Sequence, residues 1–94
     1  MSYSLEFHVD ALAEWRELRP EHRERFKAKL KERLENPVVA ASRLSGASHR
    51  YKIKFKSPPL RLVYEVLESE KRVRVLAIGP RARLKVYKAA EKRS

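Results

Sequence analysis

The alternation of apolar and charged residues after position 50 constrains this chain more than any other feature. Tyr51, Ile53 and Phe55 are separated by Lys52, Lys54 and Lys56, a period of two that sends the first set to one face of a strand and the second to the other. Such a strand belongs in a sheet with one covered face and one wet face. After the turn signal Pro58-Pro59, Leu60, Leu62, Tyr64 and Val66 alternate with Arg61, Val63, Glu65 and Leu67. A third run places Val73, Val75 and Ala77 together and stops at Gly79-Pro80. Successive strands with short connections predict an antiparallel meander, and residues 3–9 read as a further short strand.

Two helices are predicted to cover that sheet. Asp10 supplies an N-cap oxygen ahead of Ala11, Leu12, Trp15 and Leu18, and this helix ends near Arg19. Pro20 suits the first turn of a second helix, in which Phe26, Leu30 and Leu34 form an apolar stripe before Asn36-Pro37 ends it. The near absence of a linker predicts an antiparallel hairpin with Trp15 and Phe26 turned to a shared core. Residues 38–49, including Gly46, read as an irregular connection. Residues 83–92 read as a short C-terminal helix with a weak stripe of Val86, Ala89 and Ala90. The expected class is α+β, a helical hairpin on one face of a mainly antiparallel four-stranded sheet with a short C-terminal helix. The 94 residues are expected to form one domain, 1–94, because halves of this length bury too little apolar surface to fold alone.

The charge narrows the partner. Twenty-three Lys and Arg stand against 12 Asp and Glu, a net of +11, which favours an anionic partner. No long apolar span and no purely basic amphipathic helix suggests a membrane, and the N-terminus has no secretory pattern, so the cytoplasm is the expected location. Cysteine is absent, which rules out disulfides, thiolate metal sites and cysteine nucleophiles. His8, His22 and His49 lack ligand-like spacing, so no metal and no other cofactor is expected.

If Tyr51, Ile53 and Phe55 face the helices, Lys52, Lys54 and Arg61 share the opposite face. A sheet built only for stability would place carboxylates among them; a solvated lysine face is the competing interpretation. Arg81 and Arg83 follow the Gly79-Pro80 break, and Tyr87 lies on the next helix. Arginine forks pair with phosphate, and a tyrosine ring stacks on an unpaired base, though Tyr87 could equally be a core contact. No Ser-His-Asp set, carboxylate pair or glycine-rich phosphate loop is present. RNA carries its own nucleophile, the 2′-hydroxyl. Its attack needs a proton acceptor, a proton donor and stabilisation of the added charge, which arginines supply. A lysine crowded by other cations has its charged form disfavoured, which suits Lys52 or Lys54 to act as base.

The segments Ala11-Leu12-Ala13-Glu14-Trp15, Tyr51-Lys52-Ile53-Lys54, Arg61-Leu62-Val63-Tyr64 and Ile78-Gly79-Pro80-Arg81-Ala82-Arg83 with Val86-Tyr87 resemble the RelE toxins of bacterial and archaeal toxin–antitoxin systems. The resemblance runs nearly end to end. It implies a ribosome-dependent endoribonuclease that cuts mRNA in the ribosomal A site without metal and is held inactive in a complex with a cognate antitoxin. It assigns Lys52 and Lys54 to proton transfer and charge stabilisation, Arg61 and Arg81 to the phosphate and leaving group, and Tyr87 to base stacking. Arg43, Arg50, Lys56 and Arg83 are the further expected RNA contacts. Well-known members carry an arginine just before the glycine matching Gly46, where this chain has Ser45, so a phosphate contact there is lost or supplied differently. Two alternatives stand beside this interpretation: a basic RNA-binding module without catalysis, and a ParE-type toxin acting on DNA gyrase, whose members generally lack this residue set.

Overall fold

The computed structural model describes residues 2–44, 49–80 and 85–93. In chain order the elements are β1 (Ser4–Phe7), α1 (Val9–Glu17), α2 (Pro20–Glu35), β2 (Arg50–Lys54), β3 (Leu60–Leu67), β4 (Arg72–Pro80) and α3 (Lys85–Arg93). A single turn of 3-10 helix at Ala40–Ser42 precedes β2, and another at Glu68–Glu70 joins β3 to β4. The strands form one sheet in the order β1-β4-β3-β2. The β2–β3 and β3–β4 pairs are antiparallel, as the meander predicts, while β1 lies parallel to β4 at the edge.

The α2 boundaries follow the sequence signals, with Pro20 opening the helix and Asn36 capping it. The start of α1 does not. His8, not Asp10, is the N-cap: its Nδ1 accepts the Asp10 backbone N–H at 3.1 Å, and Val9 is already helical. The imidazole nitrogen satisfies one of the orphan donors of the first turn, the job expected of a carboxylate oxygen. At the other end of α1, Arg23 of α2 donates from Nη1 to Leu18 O at 2.6 Å and Arg16 O at 3.1 Å, so the second helix closes the first.

Helices lie on both faces of the sheet. Ala11 of α1 and Phe26 and Leu30 of α2 pack with Tyr51, Ile53, Leu62, Tyr64, Val66, Val73, Val75 and Ile78, and Trp15 is partly buried against the same cluster. Burying side chains such as Phe26 and Leu30 contributes about 2–3 kcal/mol each. Val86 and Ala90 of α3 instead cover Val63, Leu76 and Ala77 on the opposite face. Ala77 is therefore not a partner of Val73 and Val75. The β3–β4 register slips between Val63, opposite Ala77, and Tyr64, opposite Val75, which leaves Leu76 as an extra residue. This bulge shifts the phase of β4, so that Val75 and Ile78 reach the first core and Leu76 and Ala77 the second.

Tyr64 joins the layers. Its ring is fully buried, its hydroxyl donates to Pro37 O at 2.8 Å, and it accepts from Arg33 Nη1 at 2.8 Å. Arg33 also reaches Ser42 Oγ at 3.3 Å and Lys52 O at 3.4 Å. The β2–β3 hairpin is fixed to α2 by a stack in which the Arg25 guanidinium lies 4.0 Å from the Phe55 ring centre and Phe55 lies 4.4 Å from Phe26. Arg25 also donates to Ser57 O at 3.1 Å. No helix among the described residues is long and apolar enough to cross a membrane.

Candidate active site

The sheet face opposite α1 and α2 is electrically polarised along its strands. At one end Glu6 accepts from Arg72 and Arg74, both at 2.8 Å, and Arg74 donates onward to Glu65 at 3.1 Å. The hydrogen bond from Arg74 holds the Glu6 carboxyl below its ordinary pKa; desolvation opposes it, and Arg72 adds to the lowering. Arg50 stands opposite Glu65 in the register, so it belongs to this charge-balanced end.

At the other end the balance is absent. Lys52 stands opposite Val63, Lys54 opposite Arg61, and Arg61 opposite Gly79; among the described residues, no carboxylate faces any of these three cations in the ladder. Like charges directly across a strand pair destabilise it, so this end is a local cost that an anion would offset. Lys52 is half-buried and Lys54 exposed.

Arg61 departs from the expected open position. It is only 8% exposed, and its Nη1 donates to Phe55 O and Leu60 O, both at 3.0 Å. The physical reason lies in the hairpin turn: Arg61 supplies a donor to the Phe55 carbonyl and a second donor to the Leu60 carbonyl, which already accepts the Phe55 N–H at 2.9 Å. Arg61 thus stitches the turn as well as placing a cation beside Lys54.

Tyr87 stands on the same face of the sheet as this cationic end. It is half-buried on α3 against the cluster containing Val63, and Val63 is the register partner of Lys52. α3 packs on the same side of the sheet as Lys52 and Lys54, so that face is edged by a helix rather than left an open plane.

The other expected contacts scatter. Arg43 lies on the helix side, its guanidinium 5.8 Å from the Tyr51 ring centre and its Nη2 donating to the Tyr51 hydroxyl at 3.4 Å. Lys56 is exposed in the turn after β2. Arg81, Arg83, Ser45 and Gly46 lie outside the described residues.

Two features escape a reading of the strands alone. Arg33 holds the backbone of Lys52 from beneath, a link no spacing announces. Lys85, Lys88 and Lys92 recur at helical spacing and, with His8, Asp10 and Arg93, line a groove between α1 and α3; their three-and-four spacing was the available signal.

Comparison with known proteins places this geometry in a family. The sequence model of the ParE toxin of type II toxin–antitoxin systems (parDE) matches residues 5–85. The mRNA interferase toxin RelE of Escherichia coli K12 is 45% identical over 99% of this chain and 98% of its own length. The structure of a double arginine-to-alanine mutant of E. coli toxin RelE in the free state superposes with a TM-score of 0.92 at 43% identity, covering 99% of this chain and 98% of that one. The intact E. coli RelBE toxin–antitoxin complex gives 0.84 at 43% identity, covering 87% and 100%. The chain therefore belongs to the RelE toxins of type II toxin–antitoxin systems, within the wider group that includes ParE.

Proposed function

We propose that this protein is an mRNA endoribonuclease toxin that acts in the ribosomal A site in the cytoplasm and is neutralised in a complex with a cognate antitoxin. The observation that carries the proposal is the uncompensated cationic end of the sheet, in a chain that matches an mRNA interferase over its whole length. In this mechanism the 2′-hydroxyl of the message attacks the adjacent phosphorus. The bond to the 5′ oxygen breaks, leaving a 2′,3′-cyclic phosphate and a 5′-hydroxyl, and no metal takes part.

Lys52 and Lys54 carry the proton transfers, one from the attacking hydroxyl and one to the departing 5′ oxygen, and stabilise the charge gathering on the phosphate. Arg81 holds the phosphate and the leaving oxygen, with Arg61 adding its charge from the hairpin, where its Nη1 stays on the Phe55 and Leu60 carbonyls, and Tyr87 stacks on a base to orient the nucleotide. Lys56, Arg50 and Arg83 contribute phosphate contacts. Arg43 contributes one only when its guanidinium leaves Tyr51. The match of relatives to a toxin–antitoxin complex supports the antitoxin as partner.

Mapping transcript ends after brief expression without antitoxin tests the proposal. New ends inside translated frames, dependent on translation, are expected. Intact transcripts with stalled DNA replication would favour gyrase as the target, and RNA binding without new ends would favour a non-catalytic module.

A further inference from the structure

The parallel pairing of β1 with β4 ends where His8 N–H donates to Val75 O at 2.9 Å, because the chain then turns away into α1. Beyond that rung β4 continues to Pro80, and its backbone groups on the vacated edge need other partners. Side chains supply them. Glu14 of α1 accepts the Ile78 N–H on Oε1 at 3.0 Å, and Arg93 of α3 donates from Nη1 to Leu76 O at 2.7 Å.

The same two side chains grip each other. Arg93 donates to both oxygens of Glu14, from Nη1 to Oε1 at 2.9 Å and from Nη2 to Oε2 at 3.2 Å, while its Nε lies 3.8 Å from Asp10 Oδ2. The Arg93 side chain is 17% exposed. Forked pairing of this kind fixes direction as well as distance. The clamp thus ties α1, the bulged part of β4 and the last turn of α3 into one unit.

α3 depends on such a clamp. It has nine residues, fewer than an isolated helix needs to hold its shape in water, and it buries only Val86 and Ala90 among the described residues. We propose that Glu14 and Arg93 are positioning residues that set α3 on the sheet and so hold Tyr87 beside the Lys52–Lys54 end. The functional consequence rests on the nuclease assignment above; the placement of α3 does not. Glu14 and Arg93 meet on the backbone of β4, two strands away from Lys52 on β2.

The test uses the full-length chain as Arg93→Ala, Arg93→Lys and Glu14→Gln, with amide hydrogen exchange, the NMR shifts of the Tyr87 ring, and single-turnover cleavage of ribosome-bound mRNA. Arg93→Ala is expected to speed exchange in α3 by about tenfold or more while amides of β3 keep their protection. The Tyr87 ring shifts should move toward solvent values. The cleavage rate at saturating ribosomes should fall about tenfold, with little change in the concentration giving half-maximal rate. Arg93→Lys should recover part of each effect, since an ammonium keeps the charge but cannot span both Glu14 oxygens. Glu14→Gln should fall between, because its amide oxygen still accepts from Ile78. Unchanged α3 exchange and unchanged Tyr87 shifts in Arg93→Ala would overturn the proposal, as would a loosened α3 with an unaltered cleavage rate. A wild-type protein that cleaves no mRNA would overturn the nuclease assignment instead, and the exchange and ring-shift measurements would then decide the placement of α3 alone.

Discussion

Replacing Tyr64 by Phe removes one oxygen from the interior and exposes how much of the lysine strand rests on it. The ring volume and its stacking on Tyr51, 5.6 Å between centres, are retained. What disappears is a bond to the buried Pro37 carbonyl and an acceptor for Arg33, both at 2.8 Å. A neutral bond is worth about 1 kcal/mol and a charge-assisted one about 1.5–3 kcal/mol. Arg33 keeps Ser42 and the Lys52 carbonyl as weaker partners, which offsets part of the second loss, so the expected cost is about 2 kcal/mol. For a chain of this size that lowers the midpoint of thermal unfolding by about 8–16 °C. Paired with Arg33→Met in a double-mutant cycle, the two changes should couple by about 1–2 kcal/mol. Burial pushes the Tyr64 phenol above its ordinary pKa of 10.0, against the opposing pull of Arg33. A raised folded-state value means that the unfolded chain loses this proton first. The contribution is therefore complete below about pH 10 and is lost as pH rises through the folded value; Tyr64→Phe should remove that alkaline loss. Urea unfolding followed by circular dichroism from neutral to alkaline pH measures both. A destabilisation under about 0.5 kcal/mol, or simple additivity with Arg33→Met, would refute the account of this network.

Three further outcomes follow from the sheet. Lys54→Ala should reduce cleavage about 10²–10⁴-fold while shifting stability by no more than about 0.5 kcal/mol, since the exposed lysine only opposes another cation; single-turnover cleavage and urea melts report the two separately. Arg61→Ala should lower both, costing about 2–3 kcal/mol through the lost bonds to Phe55 and Leu60, and equal stability to the parent would contradict the stitching role. Glu6 has its pKa lowered by Arg74, so its stabilising share is present above its ordinary value of 4.5 and is lost as pH falls through the lower folded value. Glu6→Gln should accordingly flatten the acid side of the stability profile, and an unaltered acid limb would rule out this source.

The legible parts of the fold were those in which one residue type repeats with one environment. Phe26, Leu30 and Leu34 gave α2 its face, and Pro20 and Asn36-Pro37 its ends. Lys52 and Lys54 alternated against Tyr51 and Ile53 because β2 has one face toward α2 and one toward the cleft. β4 was opaque for the opposite reason. Leu76, Ala77 and Ile78 are consecutive apolar residues in a strand covered on both faces, and such a run carries no phase from which a bulge can be read. α1 misled by one cap because His8 and Asp10 both offer an acceptor two residues from a suitable donor. Within the site, the lysines could be located from alternation, but Arg61 could not be known to turn inward, since a cation that satisfies carbonyl oxygens and one that waits for phosphate look alike in a sequence. The clamp of Glu14 and Arg93 joins residues 79 positions apart, a separation that no local pattern reports.

Arg23, Arg25, Arg33 and Arg61 all donate to backbone carbonyl oxygens. A carbonyl has a dipole but no net charge, so these bonds brace a helix end, the lysine strand and the hairpin without neutralising the guanidinium that makes them. A fold pinned together by carboxylate pairs would have cancelled its own field. This one keeps much of its +11 as long-range potential, at the cost of self-repulsion. Dissolved salt then acts in two directions, easing the repulsion within the folded chain while weakening its attraction for a polyanion beyond about 8 Å at physiological ionic strength.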